Sequence, residues 1–409
     1  QKLRVAFPAE RLADIAGAVR AQVAGVARFP RGARLGVAVG SRGIANLATI
    51  VRATIDALRE RGAEVFIFPA MGSHGGATAE GQREVLAGYG VTAATMGCPV
   101  LATMAIVELP AAGLEHPLYL DRHAAAADGL VLINRVKPHT DFHGPYESGL
   151  VKMSVIGLGK DAAALAVHRF GVRGLRDLIP LAAAKLLATG KILCGVAVIE
   201  NAYDATALVE VVPGDRILSR EPELLAIARG HLPRLPLEDI DVLIVDRLGK
   251  NISGTGMDTN IIGRLRIRGE TDPASPRIKM IVLTDLTDES HGNAVGTGLA
   301  DVITARLAAK IDHHVTYINT ATSGFVDRGK VPLAAPTAAA AVELALRASG
   351  CLDFATARVL RIRDTLHLGE IYASPAATAA LQGRPDITVL GPPTAAFDVS
   401  GSLRPFGAE

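Results

Sequence analysis

The chain has no tryptophan, aromatic residues make up only 4% of it, and its 409 residues include just three cysteines. Each scarcity excludes a class of protein. A nucleic-acid face needs clustered Lys and Arg interleaved with stacking rings. Here 43 basic residues meet 41 acidic ones, the net charge is +2, and no run of five like charges occurs. Nucleic acid is therefore not an expected partner. Cys98, Cys194 and Cys351 lie far apart and form no CxxC pair, which argues against a disulfide scaffold, an iron–sulfur cluster or a cysteine zinc site. They read as small buried apolar residues. No apolar run reaches the roughly 18–20 residues that span a bilayer. The opening stretch "QKLRVAFPAERLADIAG" lacks the apolar segment and cleavage site of a secretory signal, so the expected compartment is the cytoplasm and no membrane partner is expected.

What is present points to a folded α/β protein. Hydrophobic residues supply 49% of the chain and charged residues 21%, a globular balance, and the length favours two domains. "RLGVAVGSRGIANLATIVRATIDALRERGAEVFIFPAMGSHGG" reads as strand, loop, helix, strand. Its helix carries Leu47, Ile50, Val51, Ile55 and Leu58 on one stripe. Both strands are almost wholly apolar, as in a parallel sheet covered on both faces. A right-handed crossover then places "GSRG" and "MGSHGG" at the same sheet edge, the carboxyl edge where open α/β sheets bind ligands. "GLVLINRVKPH" is a third such strand, so Arg42, His74 and His139 are expected to converge. Two prolines in "GHLPRLPLEDIDVLIVD" mark a boundary near residue 235, dividing the chain into an N-terminal α/β domain over 1–234 and a C-terminal α/β domain over 235–409. In the latter, "DVLIVDRLGK", "RIKMIVLTDL" and "DHHVTYINTATSG" each read as strand then loop, and "PTAAAAVELALRAS" as helix.

The titratable residues at the strand ends admit more than one use. His74 in "GSHGG", His139 in "KPHTDF" and His143 four residues on would supply imidazoles suited to taking protons from hydroxyls. His168, on an alanine-rich helical stretch, reads locally as a half-buried structural histidine, because no HExxH or HxH pair accompanies it. The adjacent pair His313–His314 would face opposite sides of a strand and share no metal. "SGTGMDTN", "GSRGIAN" and "GLGK" offer phosphate-cradling backbone or ordinary tight turns, and none fits GxGxxG or the Walker pattern. Glu147 and Asp141 are equally consistent with simple ion pairs to nearby lysines.

Taken together, "MGSHGGATAEGQ", "NRVKPHTDFHGPYESGLVKMSVIGLGK", "VHRFG", "SGTGMDTNIIGR" and "TDESHGNAVGTGLAD" resemble the nickel-pincer lactate racemase superfamily. The resemblance implies two α/β domains with parallel-type sheets and an active site in the cleft between them. It implies a nickel-pincer nucleotide, a nicotinic-acid-derived mononucleotide that binds nickel through sulfur, carbon and sulfur and is tethered to a lysine. On that resemblance Lys152, in "ESGLVK", is the tether. His168, sixteen positions after it, is the nickel ligand. His74 and His139 are the catalytic histidines. Arg42 clamps the substrate carboxylate, and Ser41, Arg42 and Gly72 border the cofactor.

The interval from His139 to Lys152 is longer than in lactate racemase, so His143 is an alternative for the second histidine. The family's Gln-x-x-Lys pair is missing; Lys250, Asp258, Asn260 or Arg264 would substitute at the substrate. With no tryptophan present, a substrate larger or more polar than lactate, such as a sugar acid, is expected. The implied reaction is racemisation or epimerisation of a 2-hydroxyacid by hydride transfer between two bases, with cofactor-synthesis proteins as transient partners. A nickel-independent lyase or dehydratase, or a binding module for an acidic small molecule, remain the alternatives. The oligomeric state is left open.

Overall fold

The computed structural model describes residues 1–40 and 43–407. Ser41 and Arg42, assigned above to cofactor and substrate, lie outside them. The chain forms two compact units, Pro8–Leu232, and Gln1–Phe7 together with Pro233–Glu409. The first strand, β1 (Lys2–Val5), belongs to the second unit and not to the N-terminal domain expected over 1–234.

In the unit Pro8–Leu232, β2 (Arg34–Val39) and β3 (Glu64–Pro69) are followed by an antiparallel hairpin of β4 (Ile106–Leu109) and β5 (Leu118–Asp121). Then come β6 (Gly129–Arg135), β7 (Ile192–Glu200) and β8 (Thr206–Pro213). The sheet order is β3-β2-β6-β7-β8, parallel except for the β7–β8 pair. The helix Leu47–Glu60 turns its predicted stripe inward: Leu47, Ile50, Val51, Ile55 and Leu58 are all buried in one core with Val37, Val39 and Ile67. Each such side chain contributes about 1.5–3 kcal/mol over leaving it in water. β2 lies between β3 and β6, so the chain winds one way to β3 and then crosses back for β6. The winding reverses between β2 and β6, and the carboxyl edge at such a reversal is where open sheets form a ligand crevice.

The unit with Pro233–Glu409 adds β9 (Asp239–Val245), β10 (Arg277–Leu283), β11 (Val302–Thr304), β12 (Leu333–Ala335), β13 (Val359–Ile362), β14 (Glu370–Ala373) and β15 (Ile387–Val389). Its eight-stranded sheet runs β12-β11-β10-β9-β13-β14-β1-β15. Strands β9 to β13 pair in parallel, as expected, but β14, β1 and β15 form an antiparallel flank. Burial of Leu3 and Val5 fixes β1 in that flank. "DHHVTYINTATSG", read as a strand, is the helix His313–Ser323. Asp312 caps it by accepting the Val315 N–H at 3.0 Å, and that local bond outweighs the strand-favouring Val, Tyr and Ile. Among the described residues no helix is long and apolar enough to cross a membrane.

Candidate active site

In the Pro8–Leu232 unit, His139, His143, Lys152 and His168 lie on the segment that leaves β6, and Gly72 and His74 on the one that leaves β3. Lys137 and Ser148 exchange backbone hydrogen bonds of 2.9 and 3.2 Å, closing residues 138–147 into a loop with a pinned base. Glu147 organises its interior. Its buried carboxylate accepts the backbone N–H of His139 at 2.5 Å and of Gly144 at 3.2 Å, and meets Arg229 at 2.6 Å and His143 Nδ1 at 3.3 Å. Burial pushes the Glu147 pKa up, but the bonds from His143, the His139 backbone and Arg229 outweigh it and hold the group below the usual carboxylate range.

Beyond the loop, Gly149 opens the short helix Leu150–Lys152, which runs into a π-helical turn over Met153–Gly157 and then the helix Lys160–His168. Such wide turns occur frequently at functional sites. The pinned loop brings His139 back over this helix. Lys152 Nζ lies 2.6 Å from His139 Nε2, and the His139 ring packs on Phe142 with centroids 4.6 Å apart. His143 is turned instead to Glu147. His139 is thus the histidine that stands against Lys152.

His168 closes the helix Lys160–His168. Its side chain is open to solvent, yet the surrounding protein lowers its pKa, chiefly by desolvation. A positive charge on Lys152 would lower it further, and Asp141 opposes both. The neutral form of the ring, the one with a lone pair for a metal, is thereby favoured.

The Gly72–His74 loop follows β3 and rests on the π-turn. Gly72 adopts φ +58°, a left-handed conformation suited to glycine, and a Cβ there would come within 3.1 Å of Ile156. Beneath the loop is a buried network that the sequence did not disclose. Lys160, wholly buried, donates from Nζ to Pro69 O at the end of β3 and, at 3.1 Å, to Gln82 Oε1. Gln82 Nε2 in turn donates to Gly72 O at 2.8 Å and to His74 O at 3.4 Å. Lys160 also stands 3.0 Å from Asp121 Oδ2 in a buried ion pair. Burial pushes the Lys160 ammonium pKa down, while Asp121 pulls it back up. "GLGK" is therefore neither a phosphate cradle nor a plain turn; it delivers a structural cation.

The other proposed substrate residues belong to the second unit. Lys250 Nζ donates to Gly254 O at 2.8 Å, and Asn260 Nδ2 to Asp258 Oδ1 at 2.9 Å. Arg264 is buried and committed to the fold: it donates to Leu299 O, Ile278 O and Lys279 O and pairs with Asp301 at 2.6 Å. These bonds to backbone carbonyls and to Asp301 give Arg264 a structural role rather than the substrate-binding one assigned above. "SGTGMDTN" ends in a helix of four residues, Thr259–Ile262, capped by Asp258 through the Asn260 N–H.

No protein-family profile and no curated protein matches the sequence. The structure of the lactate racemase apoprotein from Thermoanaerobacterium thermosaccharolyticum does match the fold: TM-score 0.56 at 13% identity, over 90% of this chain and 99% of that one. The chain therefore has an α/β fold like that of lactate racemase.

Proposed function

We propose that the chain is an isomerase of the lactate-racemase type, inverting the α-carbon of a 2-hydroxyacid with a nickel-pincer nucleotide tethered at Lys152. The observation that carries this reading is the meeting of Lys152 with His139 at 2.6 Å, within electrostatic reach of His168, in a chain of lactate-racemase-like fold.

The residues present fit such a group. Lys152 offers an amine from a helix anchored at its start, and His168 an accessible imidazole held toward its neutral form. Among the described residues no three His, Cys, Asp or Glu side chains stand together as a metal site. A pincer brings its own sulfur and carbon donors, so one imidazole suffices. When bound, the cofactor would supply a reversible acceptor for the α-hydrogen, which is too weakly acidic for a histidine to remove as a proton. The chain's own task is then the hydroxyl proton. His74 and His139 are assigned to hold and return it, Arg42 to grip the carboxylate as a bidentate donor, and Ser41 and Gly72 to border the cofactor. Lys250 and Asn260 remain proposed substrate contacts. Cofactor-synthesis proteins would be transient partners.

The test is co-expression with cofactor-synthesis proteins, followed by intact mass, nickel content and turnover on a panel of hydroxyacids that includes sugar acids. A mass adduct lost in Lys152→Ala, nickel lost in His168→Ala and inversion of one substrate are expected. Persistence of the adduct in Lys152→Ala overturns the tether, and full nickel in His168→Ala overturns the ligand. Elimination products without nickel would point to a lyase, and a loaded protein inert on the whole panel to a binding module.

A further inference from the structure

We infer that, before any cofactor is attached, His139 holds Lys152 as a neutral amine, with the ring's single proton on Nε2. The placement follows from donors and acceptors alone. The backbone N–H of Asp141, which can only donate, points at His139 Nδ1 at 3.0 Å. Nδ1 must therefore present a lone pair. On the other side of the ring, Nε2 meets Lys152 Nζ at 2.6 Å.

If Lys152 were an ammonium, all its Nζ hydrogens would be donors and Nε2 would have to accept as well. Both ring nitrogens would then lack protons, leaving an imidazolate, which water near neutral pH does not permit. A doubly protonated ring fails too, because its Nδ1–H would face the Asp141 N–H. Turning the ring over would set carbon against both polar neighbours. The Asp141 carboxylate, at 3.8 Å from Nδ1, lies beyond hydrogen-bond reach. One arrangement satisfies both of these contacts: Nε2–H donating to the lone pair of a neutral Lys152 amine. Phe142 packs on the ring and holds it in this orientation.

Two consequences follow, and both rest on the reading of Lys152 as the tether. A neutral amine is the nucleophilic form, so Lys152 is set to attack a carboxyl-derived carbon bearing an activating group. The new N–C bond replaces the bond from that carbon to the activating group, and one amine proton departs with it. Until then His139 Nε2 is engaged. Once Nζ becomes an amide or thioamide nitrogen, its lone pair is delocalised and no longer accepts, and Nε2 is released toward substrate. Tethering would thus precede, and switch on, the use of His139 as a base.

The test uses the whole untethered chain. Long-range nitrogen NMR of histidine-labelled protein, assigned with His139→Gln, should show His139 Nε2 pyrrole-like and Nδ1 pyridine-like at pH 7. In a brief pulse of a small acylating reagent, Lys152 should react about tenfold or more faster than the exposed Lys185, since only about one ordinary lysine in a thousand is neutral at that pH. His139→Phe should bring Lys152 to the rate of Lys185 or below. A pyridine-like Nε2, or a Lys152 no faster than Lys185 in the native chain, overturns the inference. A pyrrole-like Nε2 in a chain whose Lys152 never acquires cofactor would uphold the proton placement and overturn the proposed function. An adduct on Lys152 together with a pyridine-like Nε2 would do the reverse.

Discussion

Glu221 Oε2 accepts the Val151 N–H at 2.9 Å, one residue before Lys152 and 70 residues away in sequence. The carboxyl group is fully buried, its other oxygen has no hydrogen-bond partner, and desolvation pushes its pKa up to about 7 against two backbone hydrogen bonds that pull it down. A buried acid thus caps the turn that presents the proposed tether.

That cap predicts an unusual pH dependence. Through the window from about 4.5 to about 7 the native state keeps a proton that the unfolded chain has released. Stability due to this group is therefore full below the unfolded pKa and falls as pH rises through about 7. The loss is on the order of 3 kcal/mol, at about 1.4 kcal/mol per unit. Urea midpoints at pH 5 and pH 8 should separate in the native chain and draw together in Glu221→Gln. Equal slopes in the two proteins would contradict it.

Gly149 is the second half of the same device. A Cβ on residue 149 would meet the Glu221 carboxyl carbon at 2.5 Å. Gly149→Ala should cost about 1–3 kcal/mol, as overpacking does. In a Glu221→Ala background the cost should shrink, and a double-mutant cycle measured by denaturant titration reads the difference. Additive losses would mean that the two residues do not compete for the same space.

The parts of this arrangement differ in how far the sequence discloses them, and the difference is one of range. The helix Leu47–Glu60 and its flanking strands were legible because apolar spacing is a local signal. The placement of His139 at a strand end was legible for the same reason. Lys160 was not, since a lysine is ordinarily exposed and its partners Gln82 and Pro69 lie 78 and 91 positions away. Glu221 was hidden likewise. β1 pairs with β14 across nearly the whole chain, a contact that no short window registers. The segment His313–Ser323 reads as a strand because Val315, Tyr317 and Ile318 favour one, and the capping bond from Asp312 that makes it a helix is set by geometry rather than by composition.

Lys160 and Asp121 form a wholly buried ion pair. Removing one partner strands the other, which typically costs about 3–5 kcal/mol, whereas removing both often costs far less. Lys160→Met should therefore be severely destabilised, and Lys160→Met with Asp121→Asn should recover a large part of the loss. Calorimetric or urea unfolding of the three variants decides it. A double variant no better than Lys160→Met would show that the lysine's bonds to Pro69 O and Gln82, not its charge partner, dominate.

Gln82 separates stability from positioning. Its amide joins Lys160 to the carbonyls of Gly72 and His74, so the backbone of the His74 loop is held through one side chain. Gln82→Leu keeps the volume and removes all three bonds. The unmatched Gly72 carbonyl and Lys160 ammonium should cost about 1–3 kcal/mol in stability. If His74 handles the hydroxyl proton, displacement of its loop should also lower kcat of the folded, cofactor-loaded protein by about 10- to 100-fold with KM little changed, since a shift near 1 Å is enough. Gln82→Glu, which restores an acceptor to Lys160 but no donor to Gly72, should regain stability without regaining kcat. Were Gln82→Leu to lose stability alone, with turnover per folded molecule intact, the network would be holding the core together and His74 would owe its position to something else.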